Sequence, residues 1–306
     1  MEPASRRTKL TRQASLLACL VVFCATLLPT EAEAQSRRYR PPARYFQFGQ
    51  PNQDEGRTIL EAFRQQGIAG DYFLEFDLRV LPRRGQTRVV TGGRLWGSRN
   101  DEGPISRVEL PSVGNADPRR MLVQNGPRGC IWTSGDERAG VATEAGALDP
   151  AALFEPLAGT GLTSFDLQMP YLYWGDFVFE GMAPVRGRPA HVFLMYPPDE
   201  IAALKPELAG VRVFLDTQFG ALVQSQQIGA EERVLKTLSV LDLKKIDDQW
   251  MVKTIDLRDE TTRDKTQFIV TGAALGLDFS AMVFDPASLA EPLSPPPADR
   301  VRRLAP

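Results

Sequence analysis

The sequence is poor in the side chains that do chemistry. It holds three cysteines and one histidine in 306 residues. Cys19 and Cys24 lie in an N-terminal apolar run, so Cys130 stands alone in the rest of the chain and no intramolecular disulfide is expected there. In Gly129-Cys130-Ile131-Trp132 it reads as a small buried hydrophobe. One thiol and one imidazole are too few for the N/S ligand sets that zinc takes, and no metal or other cofactor is expected. A Ser-His-Asp triad would have to use His191, but no Gly-x-Ser-x-Gly elbow or phosphate-cradling glycine loop accompanies it. In Pro189-Ala190-His191-Val192-Phe193 it reads as a partly exposed strand residue. Carboxylates on strands, such as Asp77, Asp216, Asp242 and Asp256, are what 38 acidic residues give by chance. Nothing argues for an enzyme. A surplus of one charge is missing too: 36 Lys/Arg face 38 Asp/Glu, with no basic block, which excludes nucleic acid as the natural partner. After residue 28 no apolar run approaches the roughly 20 residues of a membrane span.

What is present begins with an export signal. Arg6, Arg7, Lys9 and Arg12 precede the apolar stretch Ala14–Leu28, and Ala32-Glu33-Ala34 is a small-x-small cleavage site. Residues 1–34 read as a signal peptide and the protein as periplasmic; an uncleaved membrane anchor is the alternative. Phe23 before Cys24 argues against a lipidation site. Removing four basic and three acidic residues leaves 32 and 35 in the mature chain, a net of −3. Residues 35–54, rich in Arg, Pro and Gln, read as a linker or an ordered arm. Glu55–Gln66 looks helical, with Ile59, Leu60 and Phe63 on one face and Gly67 after it.

Two stretches of period-2 alternation follow. In the first, Tyr72, Leu74, Phe76, Leu78 and Val80 share one face of a strand over Asp71–Leu81 and Glu75, Asp77 and Arg79 the other. Pro82-Arg83-Arg84-Gly85 turns the chain into Thr87–Gly97, where Gly92-Gly93 signals a bulge or close approach. Shorter strands are expected at Ile105–Leu110, Arg120–Gln124 and Cys130–Thr133. After a polar loop at 136–146, a hairpin at Phe177–Met182 and Ala190–Tyr196 and a helix near Glu200–Leu208, the second stretch runs from Gly210 to Asp278. It holds five strands with short connections, at Val211–Leu215, Ala221–Ile228, Val234–Ile246, Trp250–Leu257 and Thr266–Thr271. Such connections leave no room for crossover helices, so the sheet should be antiparallel, with one face free to meet something apolar. Arg79, Arg94, Arg186 and Arg188 read as solvated strand residues, with pairing to a lipid carboxylate or phosphate as the alternative. From Phe284 the chain is Pro-rich, and 290–306 is expected to be a disordered tail.

Between the stretches lies the highest density of large apolar side chains. Asp149 and Pro150 form a helix start, and Thr163–Leu167 a second. Phe154, Leu157, Leu162, Phe165, Leu167, Met169, Tyr171, Leu172, Tyr173, Trp174 and Phe177 crowd this segment. Ordinary core packing and a mobile apolar lid over the sheet both account for it.

From Phe177 onward the sequence resembles the LolA-like outer-membrane lipoprotein-sorting families. The likeness is carried by Asp176-Phe177-Val178-Phe179-Glu180-Gly181-Met182 with Val185–Leu194 and the Pro197-Pro198 stop, by Val211–Asp216 followed by Phe219-Gly220-Ala221-Leu222, and by Leu243–Val252 before the Thr261–Lys265 turn. Leu95-Trp96-Gly97 and Arg107–Leu110 fit the same kind of protein, so the likeness spans roughly Tyr72–Leu289. It implies a mainly β fold, an incomplete antiparallel β-barrel (half-barrel) over 55–289 with short helices covering its concave apolar face. It also implies a non-catalytic carrier of lipid or lipoprotein acyl chains, with envelope membrane proteins as donor and acceptor; a monomer is the default, since no apolar run is exposed outside the middle segment. The ligand-facing candidates are Leu74, Phe76, Leu78 and Leu95 on strands, and Leu153, Phe154, Leu157, Phe165, Leu167, Met169, Tyr171, Tyr173, Phe177 and Phe179 in or just after the apolar segment. An envelope sensor or protein-interaction module of the same fold is the rival, and a hydrolase built around His191 or paired acids is a third reading.

Overall fold

Strand β1 (Asp71–Leu81) carries apolar residues on both faces at its start, and both are used. Leu74, Phe76 and Leu78 point to one side of the sheet and Phe73 to the other, all buried. The computed structural model describes residues 38–46, 49–113, 118–134 and 145–305. Residues 40–306 form one compact unit. The signal peptide expected at 1–34 and most of the polar loop expected at 136–146 fall outside the described residues.

The first meander continues through β2 (Arg88–Asn100), β3 (Gly103–Leu110), β4 (Arg119–Gln124), β5 (Cys130–Thr133) and the short β6 (Gly146–Ala147). The second half contributes β7 (Phe177–Val185), β8 (Arg188–Met195), β9 (Gly210–Asp216), β10 (Leu222–Ile228), β11 (Val234–Ile246), β12 (Gln249–Asp259) and β13 (Lys265–Leu277). The two meanders are one sheet. They join where β1 pairs antiparallel with β13, Leu78 opposite Phe268, to give the order β6-β5-β4-β3-β2-β1-β13-β12-β11-β10-β9-β8-β7. β6 and β7 are its edges, so the barrel is left open.

The Gly-Gly pair in β2 answers to geometry. Gly92 has φ +85° beside the register shift opposite β1, and a Cβ on Gly93 would lie 2.3 Å from Phe76 Cε2. The room left there lets Phe76 stack on Phe268 of β13 at 4.3 Å between centroids. Gly93→Ala is expected to displace that ring and cost about 1–3 kcal/mol, read as a lower urea midpoint.

One edge is sealed by the N-terminal segment. Helix α1 (Gln53–Gln65), capped by Asn52, lies against β7, with Gln53 exchanging hydrogen bonds with the Phe179 backbone at 2.9 and 2.8 Å. The arm before it is ordered over 40–46. Phe46 N donates to Glu180 O at 3.1 Å, Arg44 N to the Glu180 carboxylate at 2.6 Å, and Arg40 pairs with Asp176 while lying 3.4 Å over the Tyr196 ring. That guanidinium holds the Asp176 carboxyl below its ordinary pKa.

The tail corrects the expectation of disorder. Residues 290–305 are ordered, and the segment from Phe279 forms a strap across the outer face of β1–β5. Leu289, with no exposed surface, packs on Ile105 and Leu122, and Val301 joins Phe73 and Trp96. Two buried arginines on β3 and β4 hold the strap by its main chain. Arg107 donates to Ser288 O at 3.0 Å and to Glu291 O, and Arg120 to Leu289 O at 2.6 Å and Ala290 O at 2.9 Å. Glu109 pairs with Arg107 and accepts from Leu293 N. Strand β14 (Arg302–Arg303) then pairs with β13. Prolines cannot donate to a ladder, but here the strap's carbonyls find donors on the sheet, and that order is invisible in composition.

Candidate functional site

The other face of the sheet is covered by residues 150–174, which form short pieces of helix rather than a layer. Asp149 caps a 3-10 turn over Pro150–Phe154, accepting from Ala151 N at 2.9 Å. Leu157 and Leu162 close a tight loop by a 2.7 Å backbone bond. Thr163 and Asp166 then form a reciprocal cap on α2 (Ser164–Gln168), with Thr163 N to Asp166 Oδ2 at 2.9 Å and Asp166 N to Thr163 Oγ1 at 3.2 Å. Met169, in the left-handed region at φ 49°, ends α2 and leads into a 3-10 turn over Pro170–Tyr173.

Phe165 is the centre of this lid. It has no exposed surface and meets Phe154 at 4.7 Å, Tyr171 at 5.7 Å and Trp174 at 6.3 Å between ring centroids. The fourteen candidate residues all belong to one apolar cluster. Leu74, Phe76, Leu78, Leu153, Leu157, Phe165, Tyr171 and Phe179 are buried in it, and Leu95, Phe154, Leu167, Met169, Tyr173 and Phe177 are half-buried at its margin. From the opposite half of the sheet the same cluster receives Phe193, Val211, Val213 and Leu257. The cluster joins lid and sheet, and protein side chains fill the concave face. A small cleft of about 170 Å³ opens at one end of the lid by Gln168, Tyr173 and Trp174. A larger one of about 470 Å³ lies on the outer face between Trp96, Phe279 and Pro295–Pro297.

Sequence reasoning missed the polar residues inside this face. Ser225 and Gln227 of β10 stand opposite Val213 and Val211, and Lys236 of β11 opposite Gln227, so all three share the concave side. Thr266 of β13, opposite Leu257, does too. Each finds its partner on the lid. The Ser225 hydroxyl bonds the Tyr171 hydroxyl at 3.0 Å, Gln227 Nε2 donates to Asp166 Oδ1 at 3.3 Å, and Thr266 Oγ1 accepts from Gly161 N at 2.8 Å. Lys236 donates to Gly161 O at 2.6 Å and pairs with the Asp166 carboxylate. Burial pushes the Tyr171 phenol well above its ordinary pKa, so it stays protonated. The one legible signal was that Lys236 shares the phase of Val234, Leu238 and Val240 in its strand.

The chemistry read into other residues does not gather here. His191 is partly exposed on β8, its ring 5.9 Å from Phe179 and its Nδ1 without a hydrogen-bond partner among the described residues. Cys130 is half-buried. Arg79, Arg186 and Arg188 are exposed and Arg94 half-buried. Among the described residues no group of three or more His, Cys, Asp or Glu could hold a metal ion, and no helix is long and apolar enough to cross a membrane.

No protein-family model matches the chain, and no curated protein matches it. Solved structures do. A DUF1329 family protein from Desulfovibrio piger superposes with a TM-score of 0.65 at 13% identity, over 79% of this chain and 100% of that one. A domain from Vibrio parahaemolyticus named for outer membrane lipoprotein sorting gives 0.65 at 14%, over 78% and 100%. A LolA superfamily protein from Nitrosomonas europaea gives 0.54 at 13%, over 75% and 96%. An open antiparallel sheet with short helices on its concave face, matched over nearly the whole length of these proteins, is the LolA-like fold, and this chain has it.

Proposed function

We propose that this protein, exported and freed of residues 1–34, is a non-enzymatic periplasmic carrier that holds a lipid or lipoprotein acyl chain between the sheet and the lid. The observation that carries this reading is the construction of the lid. Its longest helix has 5 residues, far below the roughly 12–15 that an isolated helix needs. The lid is stable only while docked. Its joints at Ala158, Gly159 and Met169, all at positive φ, are where it can pivot. Lifting it bares the apolar concave face, and an acyl chain placed there gains about 0.8 kcal/mol per buried CH₂. The Vibrio protein, named for lipoprotein sorting, supports the same use of this fold. Leu74, Phe76, Leu78 and Leu95 would then line the floor, and the lid residues with Phe177 and Phe179 the roof and wall.

Native mass spectrometry of the mature protein from its own periplasm, followed by organic extraction, tests this. A bound lipid of defined mass is the expected result. Protein that arrives empty and takes up no fluorescent fatty acid would overturn the carrier reading. It would favour an envelope interaction module, to which the closely filled concave face also points.

A further inference from the structure

The proposed carrier site has a polar feature that an acyl chain does not explain, and we infer from it that the ligand is an anionic amphiphile whose head group takes the place of Asp166 on Lys236 and Gln227. This inference rests on the carrier reading. In the closed structure the Asp166 carboxylate is the counter-ion of Lys236 and the acceptor for Gln227 Nε2. Asp166 and Lys236 are both largely buried, their side chains 4% and 16% exposed. Lys236 and Gln227 are direct cross-strand partners, so the sheet sets the two side chains next to each other on one face whether or not the lid is docked. The carboxylate they hold belongs to the lid.

Lid opening therefore does more than expose apolar surface. It removes the anion from a lysine that stays on the sheet between its cross-strand partners Gln227 and Asp259, on the face that carries Leu257, Val211 and Val213. A buried donor left without its acceptor is costly, and a buried charge more so. A neutral ligand would leave Lys236 only Asp259 across the strand, a carboxylate already accepting from Thr261 N and Thr262 N. A ligand ending in a carboxylate or phosphate restores the pair while its chain covers the apolar floor. Asp166 thus acts as an internal stand-in for the head group, and ligand and closed lid compete for one pair of donors. A polar residue at the apolar phase of a strand is a cost to a plain core; here it discriminates between ligands.

The test measures three pyrene-labelled probes of equal chain length on the full mature protein by fluorescence: a fatty acid, a lysophosphatidate and a fatty alcohol. The acid, the phosphate ester or both should bind about tenfold tighter than the alcohol or better, as expected for a charge-assisted pair. Which of the two anions leads tells carboxylate from phosphate. Lys236→Met should abolish the preference, whatever the loss of its tie to the lid does to the affinity for the alcohol, whereas Lys236→Arg should keep it. Matched circular-dichroism melting curves establish that the variants are folded. Equal binding of all three probes by the wild type, or an undiminished preference in Lys236→Met, would overturn the head-group inference with the carrier reading intact. Failure of every probe to bind would overturn the carrier reading, and the inference with it.

Discussion

Glu180→Ala is expected to cost about 3–5 kcal/mol, the price of leaving one member of a buried ion pair alone. Glu180 has no exposed surface and Arg212 of β9 has 3%; they are joined by bonds of 2.6 and 3.1 Å. Glu180 also accepts from Arg44 N, so its loss takes two hydrogen bonds from the buried guanidinium and one from the arm together. Glu232, 3.9 Å from Arg212 and already paired with Arg44, remains as a second, weaker partner. The residue is placed by a bulge in β7: Phe179 pairs with Phe193 and Gly181 with Val192, and the extra Glu180 turns toward Arg212. Against a total stability of typically about 5–15 kcal/mol, this loss should be plain in urea unfolding. The double variant Glu180→Leu/Arg212→Leu should recover most of it, because an apolar pair replaces the charges without stranding either. A single variant within about 0.5 kcal/mol of wild type, the usual range for surface changes, would mean that water reaches the pair.

Phe165→Ala should remove a comparable amount, about 3–5 kcal/mol for a fully buried aromatic, but from a different reaction. The ring anchors the lid to the sheet through Phe154, Tyr171 and Trp174, and the lid has little structure of its own to fall back on. The loss should therefore appear as local opening. Amide exchange over residues 160–174 should accelerate by about two to three and a half orders of magnitude, since each 1.4 kcal/mol is tenfold. Uptake of an apolar fluorescent probe should quicken while the sheet's own exchange stays slow. Equal loss of protection in lid and sheet would show the lid to be an inseparable part of one cooperative core.

Strand periodicity made most of the fold legible. The alternation in β1, β9, β11 and β12 follows from one face meeting an apolar core, and that constraint is local. The joining of the two meanders was not legible, because nothing in β1 names β13 as its partner. The strap was misread for a related reason. Its composition suits a disordered tail, but its order depends on Arg107 and Arg120, more than 160 residues away in sequence, donating to carbonyls that every sequence has. At the candidate site the apolar residues were visible as a density of large side chains. Of the polar set only the phase of Lys236 stood out, and nothing local brings it and Gln227 together until the sheet register places them under Asp166.

The pairing of β1 with β13 also sets an order of events. A chain released N-terminus first presents β1 long before its central partner exists. β1–β6 and β7–β12 consist of neighbours in sequence and can zip as successive hairpins, but the seam between the halves closes last, and contacts of such long range slow folding. Until β13 arrives, Leu78 and Phe76 wait without Phe268 and Val270 beside them, and β1 is an open apolar edge of the kind that invites the wrong neighbour. During that interval the chain is at its most aggregation-prone, and a holding factor that shields β1 would act there.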